Sequence, residues 1–429
     1  MRFSWKFTCI CGLAAALAGP AVAEEPAAWM SRLAEAVARA EAKNPALLDM
    51  EARIEAARHR VPQASALPDP EIELALKDVP TSDFSLSRDD FTMATVAGKQ
   101  TFPGAGKRPA RRRAAEAEVV ALEAMHVWHQ REVAAETAIA FFDVAELDAR
   151  RAILEQSRER LKRAAASAAE RYRVGRGAQA DVLRANVEVT AVEERLASLT
   201  AERRRAAARL NALQALPAGS EVAPVDLPEQ EPSAPTDLSG RAEGQSPALA
   251  AARAELSRAE EEVKLAGLEA RPDWTATTYY ARRQKFDDLV GASIAFNLPF
   301  VQGRRLKERR AEKEAELSGA RARLEQVRNE LSRALEEGSA ELTRNLAQAR
   351  LYRDSILPQA ETNFLAAQEA YAVGQIDFLT FIRAALDRDA YEGEWRMRRA
   401  GSWRALAMLE KASGLPLLPL ASGGEHAKN

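Results

Sequence analysis

Gln100-Thr101-Phe102-Pro103-Gly104-Ala105-Gly106-Lys107-Arg108 is where this chain changes period. Before it, residues 91–102 alternate weakly between apolar and polar, as a half-exposed strand does. After it, residues 107–171 read as one helical run. Val119, His126, Val133, Ala140, Leu147, Leu154, Leu161 and Ala168 recur along it by sevens. At 1.5 Å per residue the run is about 100 Å long. A helix of that length does not fit inside a compact domain; it calls for a coiled coil, a bundle or a tube.

The same junction recurs downstream. Leu298-Pro299 followed by Gly303-Arg304-Arg305 repeats Phe102-Pro103 followed by Gly106-Lys107-Arg108. Asn44-Pro45-Ala46-Leu47 returns as Ser246-Pro247-Ala248-Leu249, Pro70 falls on Pro272, and Tyr172-Arg173-Val174-Gly175 returns as Tyr371-Ala372-Val373-Gly374. Four landmarks in order at nearly constant offset read as a duplication. We expect a first repeat over 24–216, with a strand hairpin at about 70–102 and a helical hairpin over 107–215. The second repeat covers 247–415, with a strand hairpin at about 272–299 and a helical hairpin over 304–413. Residues 45–66 and 247–270 are expected to be the lead-in helices. Residues 217–246, with Pro224, Pro228, Pro232 and Pro235, are expected to form an extended connector rather than a helix, and 416–429 a flexible tail. In the second long run, 304–357, the seam Leu317, Leu324, Leu331 shifts by four to Leu335, Leu342, Ala349 and Ile356, a stutter that locally unwinds a supercoil.

Composition agrees with long helices. The chain has 429 residues, 47% hydrophobic and 29% charged but only 6% aromatic. That mix suits helices packed on small side chains, not a disordered chain. Residues 1–23 form a secretory signal peptide: Arg2 and Lys6, an apolar run, then Ala21-Val22-Ala23 as a small-x-small cleavage site. Removing Arg2 and Lys6 lowers the 61 basic residues to 59, against 63 acidic. No nucleic-acid partner is expected from that balance. Cys9 and Cys11 fall within the signal, so the mature chain carries no disulfide or cysteine ligand. No later stretch reaches 18 uncharged apolar residues. Periplasm, outer membrane and medium are the compartments left open.

Between the helices the period becomes two. Ile72, Leu74 and Leu76 alternate with Glu71, Glu73, Ala75 and Lys77. Val290, Ala292, Ile294, Phe296 and Leu298 alternate with Gly291, Ser293, Ala295 and Asn297, and 91–102 and 273–281 are weaker copies. Alternation over about ten residues fits an outer-membrane strand, apolar to lipid and polar to lumen. It also fits a small periplasmic sheet with one wet face. Four strands cannot close a barrel, and open edges are not tolerated in lipid. If they span, several chains must pool them, and three chains give twelve.

With these residues in hand the chain resembles the TolC-type family of outer-membrane efflux channels over nearly all of 27–415. The carrying motifs are Leu67-Pro68-Asp69-Pro70, the nonapeptide 100–108, Arg271-Pro272-Asp273, Asn297-Leu298-Pro299-Phe300, and the two turns Tyr172-x-x-Gly175 (with Asp181, Leu183 and Ala185) and Tyr371-x-x-Gly374. The Gly-Lys-Arg and Arg-Pro-Asp forms are most similar to the CzcC-type branch serving heavy-metal efflux. The resemblance implies a mainly α protein with a small β part. Four strands per chain would pool into a homotrimeric twelve-stranded barrel in outer-membrane lipid, above a helical tube through the periplasm. It implies a passive duct, not an enzyme, with no cofactor. Its partners would be a periplasmic adaptor and an inner-membrane RND transporter. Pro103, Gly106, Pro299 and Gly303 would be strand-to-helix corners. Tyr172, Gly175, Asp181, Tyr371, Gly374, Asp377, Thr380 and Arg383 would form the tip, its gate and the adaptor contact. Members of the family often carry an acid six residues after the turn glycine. Asp181 fits, but the second copy has Thr380 there, with Arg383 nine residues on. Asp377 and Asp387 could replace the missing acid, or Arg383 could pair with Asp181. All of them also fit ordinary charges on exposed helix ends.

Other constellations point to less. Gly104-x-Gly106-Lys107-Arg108 lacks the glycine spacing and the Ser/Thr of a phosphate loop. Arg111, Arg112 and Arg113 would lie near lipid headgroups or simply solubilise a helix. Glu123-x-x-His126 with His129 has ligand spacing but no second copy, and His126 lies on the seam, so no metal site is expected. Trp274, Tyr279, Tyr280, Phe286 and Phe300 suit an interface girdle or local packing. A type I secretion or drug-efflux channel, and a soluble coiled-coil scaffold with a small sheet, are the competing readings.

Overall fold

The computed structural model describes residues 28–82, 84–298 and 303–419. The signal peptide with its cysteines, Pro299, Phe300 and the end of the tail lie outside the described residues.

Helix α1 (Ala28–Lys43) and α2 (Pro45–Ser65) lead to strands β1 (Glu71–Lys77) and β2 (Met93–Phe102). The 67-residue α3 (Lys107–Arg173) then runs the length of the molecule and turns into α4 (Gln179–Leu213). The order recurs: α5 (Leu238–Gln245), α6 (Pro247–Leu268), β3 (Trp274–Arg282), β4 (Leu289–Phe296) and α7 (Gly303–Leu351). A π-turn (Tyr352–Ile356) joins α7 to α8 (Leu357–Ala372), and α9 (Phe378–Ser413) returns.

Local chemistry fixes several of these ends. Asn44 caps α2, its side chain accepting from the Ala46 amide at 3.0 Å, and Pro45 occupies a first-turn position where no amide is needed. Pro109 is tolerated in α3 for the same reason.

Two expectations need correction. The connector is extended only as far as Asp237; residues 238–245 form helix α5, whose Leu238 and Ala242 are buried. The prolines stop at Pro235, so nothing prevents a helix beyond it. A short helix thus precedes each Asn-Pro or Ser-Pro cap, and the one before Asn44, α1, was not foreseen. The second long run does not stop before Pro358. It continues through the π-turn, where the Leu357 amide bonds to the Tyr352 carbonyl, five residues back. That wider turn accommodates the proline, which would otherwise break an α-helix.

The core lies at mid-height. Trp29, Phe142 and Trp403 pack there, with Trp29 edge-on to Trp403 at 5.1 Å and Phe142 stacked on it at 5.6 Å. Leu33, Leu249, Leu406 and Leu409 complete it. The connector crosses this level as a belt. Val225 and Leu227 enter the core. The Arg203 guanidinium donates to the Val222 carbonyl (2.9 Å), and the Val225 amide donates to Asp148 (3.0 Å). Glu231 holds Arg350 (2.7 Å) and Arg353 (2.9 Å), and Arg399 donates to the Pro228 carbonyl. Burial pulls the Arg399 pKa down to about 10, and its guanidinium lies over the Trp395 ring at 4.8 Å.

The sheet is antiparallel, ordered β1-β2-β3-β4. Register places Glu71, Glu73, Lys99, Thr101, Thr275, Thr277 and Ser293 on one face. Ile72, Leu74, Leu76, Val96, Val290 and Ile294 line the other. β1 and β4 each pair on one side only.

Candidate functional site

Three regions carry candidate function: the free sheet face, the strand-to-helix corners, and the turns at the far ends of the long helices. The sheet face is the least ordinary. Ile72, Leu74 and Val290 are 79, 75 and 82% exposed within one protomer. A row of aromatics closes the face on the helix side: Phe102 opposes Trp274, which opposes Phe296. Phe102 and Trp274 stack at 4.2 Å. Tyr280 lies on the same face toward the other end, whereas Tyr279 is on the polar face, its ring over Gly291. On that polar face Lys99 pairs with Glu73, and the Thr101 and Thr275 hydroxyls bond at 2.9 Å.

At the corner the two halves hold each other. Asp273 accepts from the Gly104 amide (2.6 Å) and from the Lys107 ammonium (2.8 Å), and Lys107 is buried. Arg271 donates to the Ala105 carbonyl. The Arg-Pro-Asp of the second half is thus the clasp for the Pro-Gly-Ala-Gly-Lys-Arg of the first. Gly106 has φ +86°, and a Cβ there would lie 2.9 Å from an Arg271 nitrogen. Pro103 ends β2 just before this turn. Gly303 differs: it opens α7 in free space, so it is not a left-handed corner.

The far turns are a matched pair. Gly175 and Gly374 have φ +72° and +80°. In each, the amide after the glycine reaches five residues back, Arg176 to the Arg171 carbonyl and Gln375 to the Ala370 carbonyl, both at 2.8 Å. This is the glycine-terminated helix end that satisfies otherwise unpaired carbonyls. The next helix then starts differently in each copy. Asp377 caps α9, accepting from the Thr380 amide at 2.9 Å, and that bond with the Thr380 hydroxyl holds its carboxyl below the usual range. Ala178 stands at the equivalent cap of α4, and the acid sits three residues inside, at Asp181. The acid thus stands at the third position in the first copy and at the cap in the second. Either placement puts a carboxylate at the positive end of a helix. Within one protomer Asp181 and Arg383 form no salt bridge among the described residues. Tyr172 is exposed. Tyr371 is stacked on Phe381 at 5.2 Å, and Arg171 lies over its ring at 4.4 Å while donating to the Ala372 carbonyl at 2.6 Å. Burial raises the Tyr371 phenol, against the pull of Arg171. A cavity of about 540 Å³ opens beside this contact, between α3, α8 and α9.

Sequence reasoning missed Arg171. The two turns differ just there, Arg171 against Ala370, and that asymmetry was the available signal. It also missed Asp389, buried and held by Arg160 and by Arg388 at 3.1 Å, which ties α3 to α9.

The metal-ligand spacing of Glu123, His126 and His129 on α3 is not gathered into a site. Glu123 pairs with Arg58 (2.7 Å), His129 with Glu132 (3.1 Å), and the half-buried His126 lies 3.7 Å from Glu51. Among the described residues no three such side chains converge on a point.

Comparison with known proteins decides the family. The model of the outer membrane efflux protein family matches residues 36–215 and 238–413, most of the chain. This chain belongs to that family. Among curated relatives, the efflux protein is 27% identical over 75% of each chain to the cobalt-zinc-cadmium resistance protein CzcC of Cupriavidus metallidurans. The fold is that of solved outer-membrane channels. VceC of Vibrio cholerae superposes with TM-score 0.76 at 19% identity, covering 90% of this chain and 96% of that one. CusC superposes at 0.76 with 13% identity, covering 91% and 95%. CmeC of Campylobacter jejuni gives 0.75 at 13% identity, covering 89% and 85%. The two segments matched by the family model leave out 216–237, most of the belt that staples the efflux protein at mid-height.

Proposed function

We propose that three copies of this efflux protein pool their strands into a twelve-stranded barrel in the outer membrane, above a periplasmic helical tube. The single observation that carries this reading is the four-stranded sheet with two unpaired edges and one apolar face in the open. An exposed apolar face marks an interaction surface. Two open edges cannot remain unpaired in hydrocarbon, so neighbours must supply their partners. The tube then serves as a passive duct. The far turns form its tip, with Tyr172, Gly175, Asp181, Tyr371, Gly374, Asp377, Thr380 and Arg383 in the gate and the contact with a periplasmic adaptor. An inner-membrane RND transporter would drive transport through that adaptor. The corners at Pro103, Gly106 and Gly303 join barrel to tube. The duplicated layout, first repeat over 24–216 and second over 247–415, supplies two alike hairpins per protomer. Likeness to CzcC favours divalent transition-metal ions as cargo over drugs or secreted proteins.

Envelope fractionation with light scattering of the detergent-purified protein tests the assembly. An outer-membrane particle of about three protomer masses is expected. A protein released without detergent as a monomer overturns the proposal. A deletion strain hypersensitive to cobalt, zinc or cadmium supports the metal cargo; unchanged metal tolerance with new drug sensitivity moves the cargo to the drug class.

A further inference from the structure

A group of basic side chains at the sheet end of α7 has no place in the duct described above. Arg304, Arg305 and Lys307 are exposed and form no salt bridge among the described residues, and the first turn of the helix holds no acid. Cations at a helix N-terminus face the positive end of the dipole, which disfavours them. The residues one turn further in are treated differently. Arg309 pairs with Glu269 (3.2 Å) and Arg310 with Glu314 (2.8 Å). In α3, the same pattern pairs Arg112 with Glu116 (2.8 Å) and Arg113 with Glu261 (3.2 Å). Arg111, nearer the sheet, forms no salt bridge among the described residues; Asp273 lies within its electrostatic reach, but Lys107 already occupies that carboxylate. On α7, therefore, the basic side chains nearest the sheet are the ones left without a salt bridge among the described residues.

Their height is fixed by packing. Glu269 ends α6 just ahead of β3, so its partner Arg309 lies about level with the helix-side end of the sheet. Arg304 lies five residues closer to the sheet, a rise of about 7 Å. Side chains on a helix tilt toward its N-terminus, which here is toward the sheet. Long cationic side chains reach further along that direction. The apolar face ends at the aromatic row Phe102, Trp274 and Phe296.

We propose that Arg304, Arg305 and Lys307, with Arg111 beside them, form a collar that binds the anionic phospholipid headgroups of the leaflet nearest the helices. The inference rests on the membrane-inserted reading given above. Charge complementarity and continuity with the apolar face both point to this occupant. A phosphodiester anion there would neutralise the side chains and the helix N-terminus together. Threefold assembly would complete the collar around the barrel.

The test uses full-length protein reconstituted in vesicles of phosphatidylethanolamine with a minority of phosphatidylglycerol. Flotation reports insertion, and native mass spectrometry after mild extraction reports the lipids retained. Wild type is expected to float and to retain phosphatidylglycerol enriched about fivefold or more over bulk, since one basic residue at an anionic surface is worth about that factor. The Arg304→Gln/Arg305→Gln/Lys307→Gln variant should float equally and lose the enrichment. Protein that floats with a retained lipid composition equal to bulk, or a variant that keeps the enrichment, overturns the collar and leaves the channel reading intact. Wild-type protein that does not float overturns both.

Discussion

Gly106 and Gly175 both hold left-handed backbone, yet they pose different problems. Around Gly175 there is open space, so Gly175→Ala should cost only the backbone term, about 1 kcal/mol. At Gly106 the Arg271 guanidinium also stands in the way, and Gly106→Ala should cost about 2 kcal/mol and loosen the corner. Comparison of the two thermal unfolding midpoints checks the ranking. Asp273→Ala strips a buried lysine of its partner. We expect a loss of about 2–3 kcal/mol, largely recovered when Lys107→Met is added, because the pair costs less to remove than to split. Arg171→Ala removes both the ring contact and the Ala372 bond at the proposed tip, without touching the turn glycines. Higher conductance in planar bilayers is the expected outcome; unchanged conductance would place the gate elsewhere.

At the scale of elements, the π-turn is where the two long helices differ. Pro358→Ala restores the amide that an α-helix needs, so Tyr352–Ile356 should tighten to regular helix. Slower amide hydrogen exchange across this turn would show it. Much of this level was readable beforehand. Period-two alternation placed all four strands within a few residues, because one face is bare and the other polar. The seven-residue seams marked Leu161, Ala168, Leu331, Leu335 and Leu342, all of which are buried. The readable signals were local ones. What escaped was set by contacts far apart in sequence. Helix α5 is held by burial of Leu238 and Ala242, and the continuation through Pro358 depends on a change of helix type that periodicity does not record. At the tip, a family spacing showed an acid missing after Gly374. The geometry shows that the acid of the second copy stands at the cap, Asp377 accepting from the Thr380 amide.

For the whole molecule, acidity acts through the mid-height core. Burial raises the Glu41 carboxyl above 4.5, with Arg131 and Gln130 opposing it and Glu410 adding to it. Folded protein then holds this proton more tightly than the unfolded chain. The contribution of Glu41 to stability therefore falls as pH rises from about 4.5 through its raised value. Glu41→Gln should raise the melting temperature at pH 7 and leave it nearly unchanged below 4.5. Melting curves of both proteins across that range decide it. The unpaired edges of β1 and β4 have a genetic consequence as well. If every barrel needs two good edges from each of three chains, one defective chain spoils the whole. In a cell making equal amounts of wild type and a β4-edge variant such as Ser293→Pro, random mixing would leave about one-eighth of the assemblies intact. A recessive-looking lesion in a single strand would then behave as a dominant one.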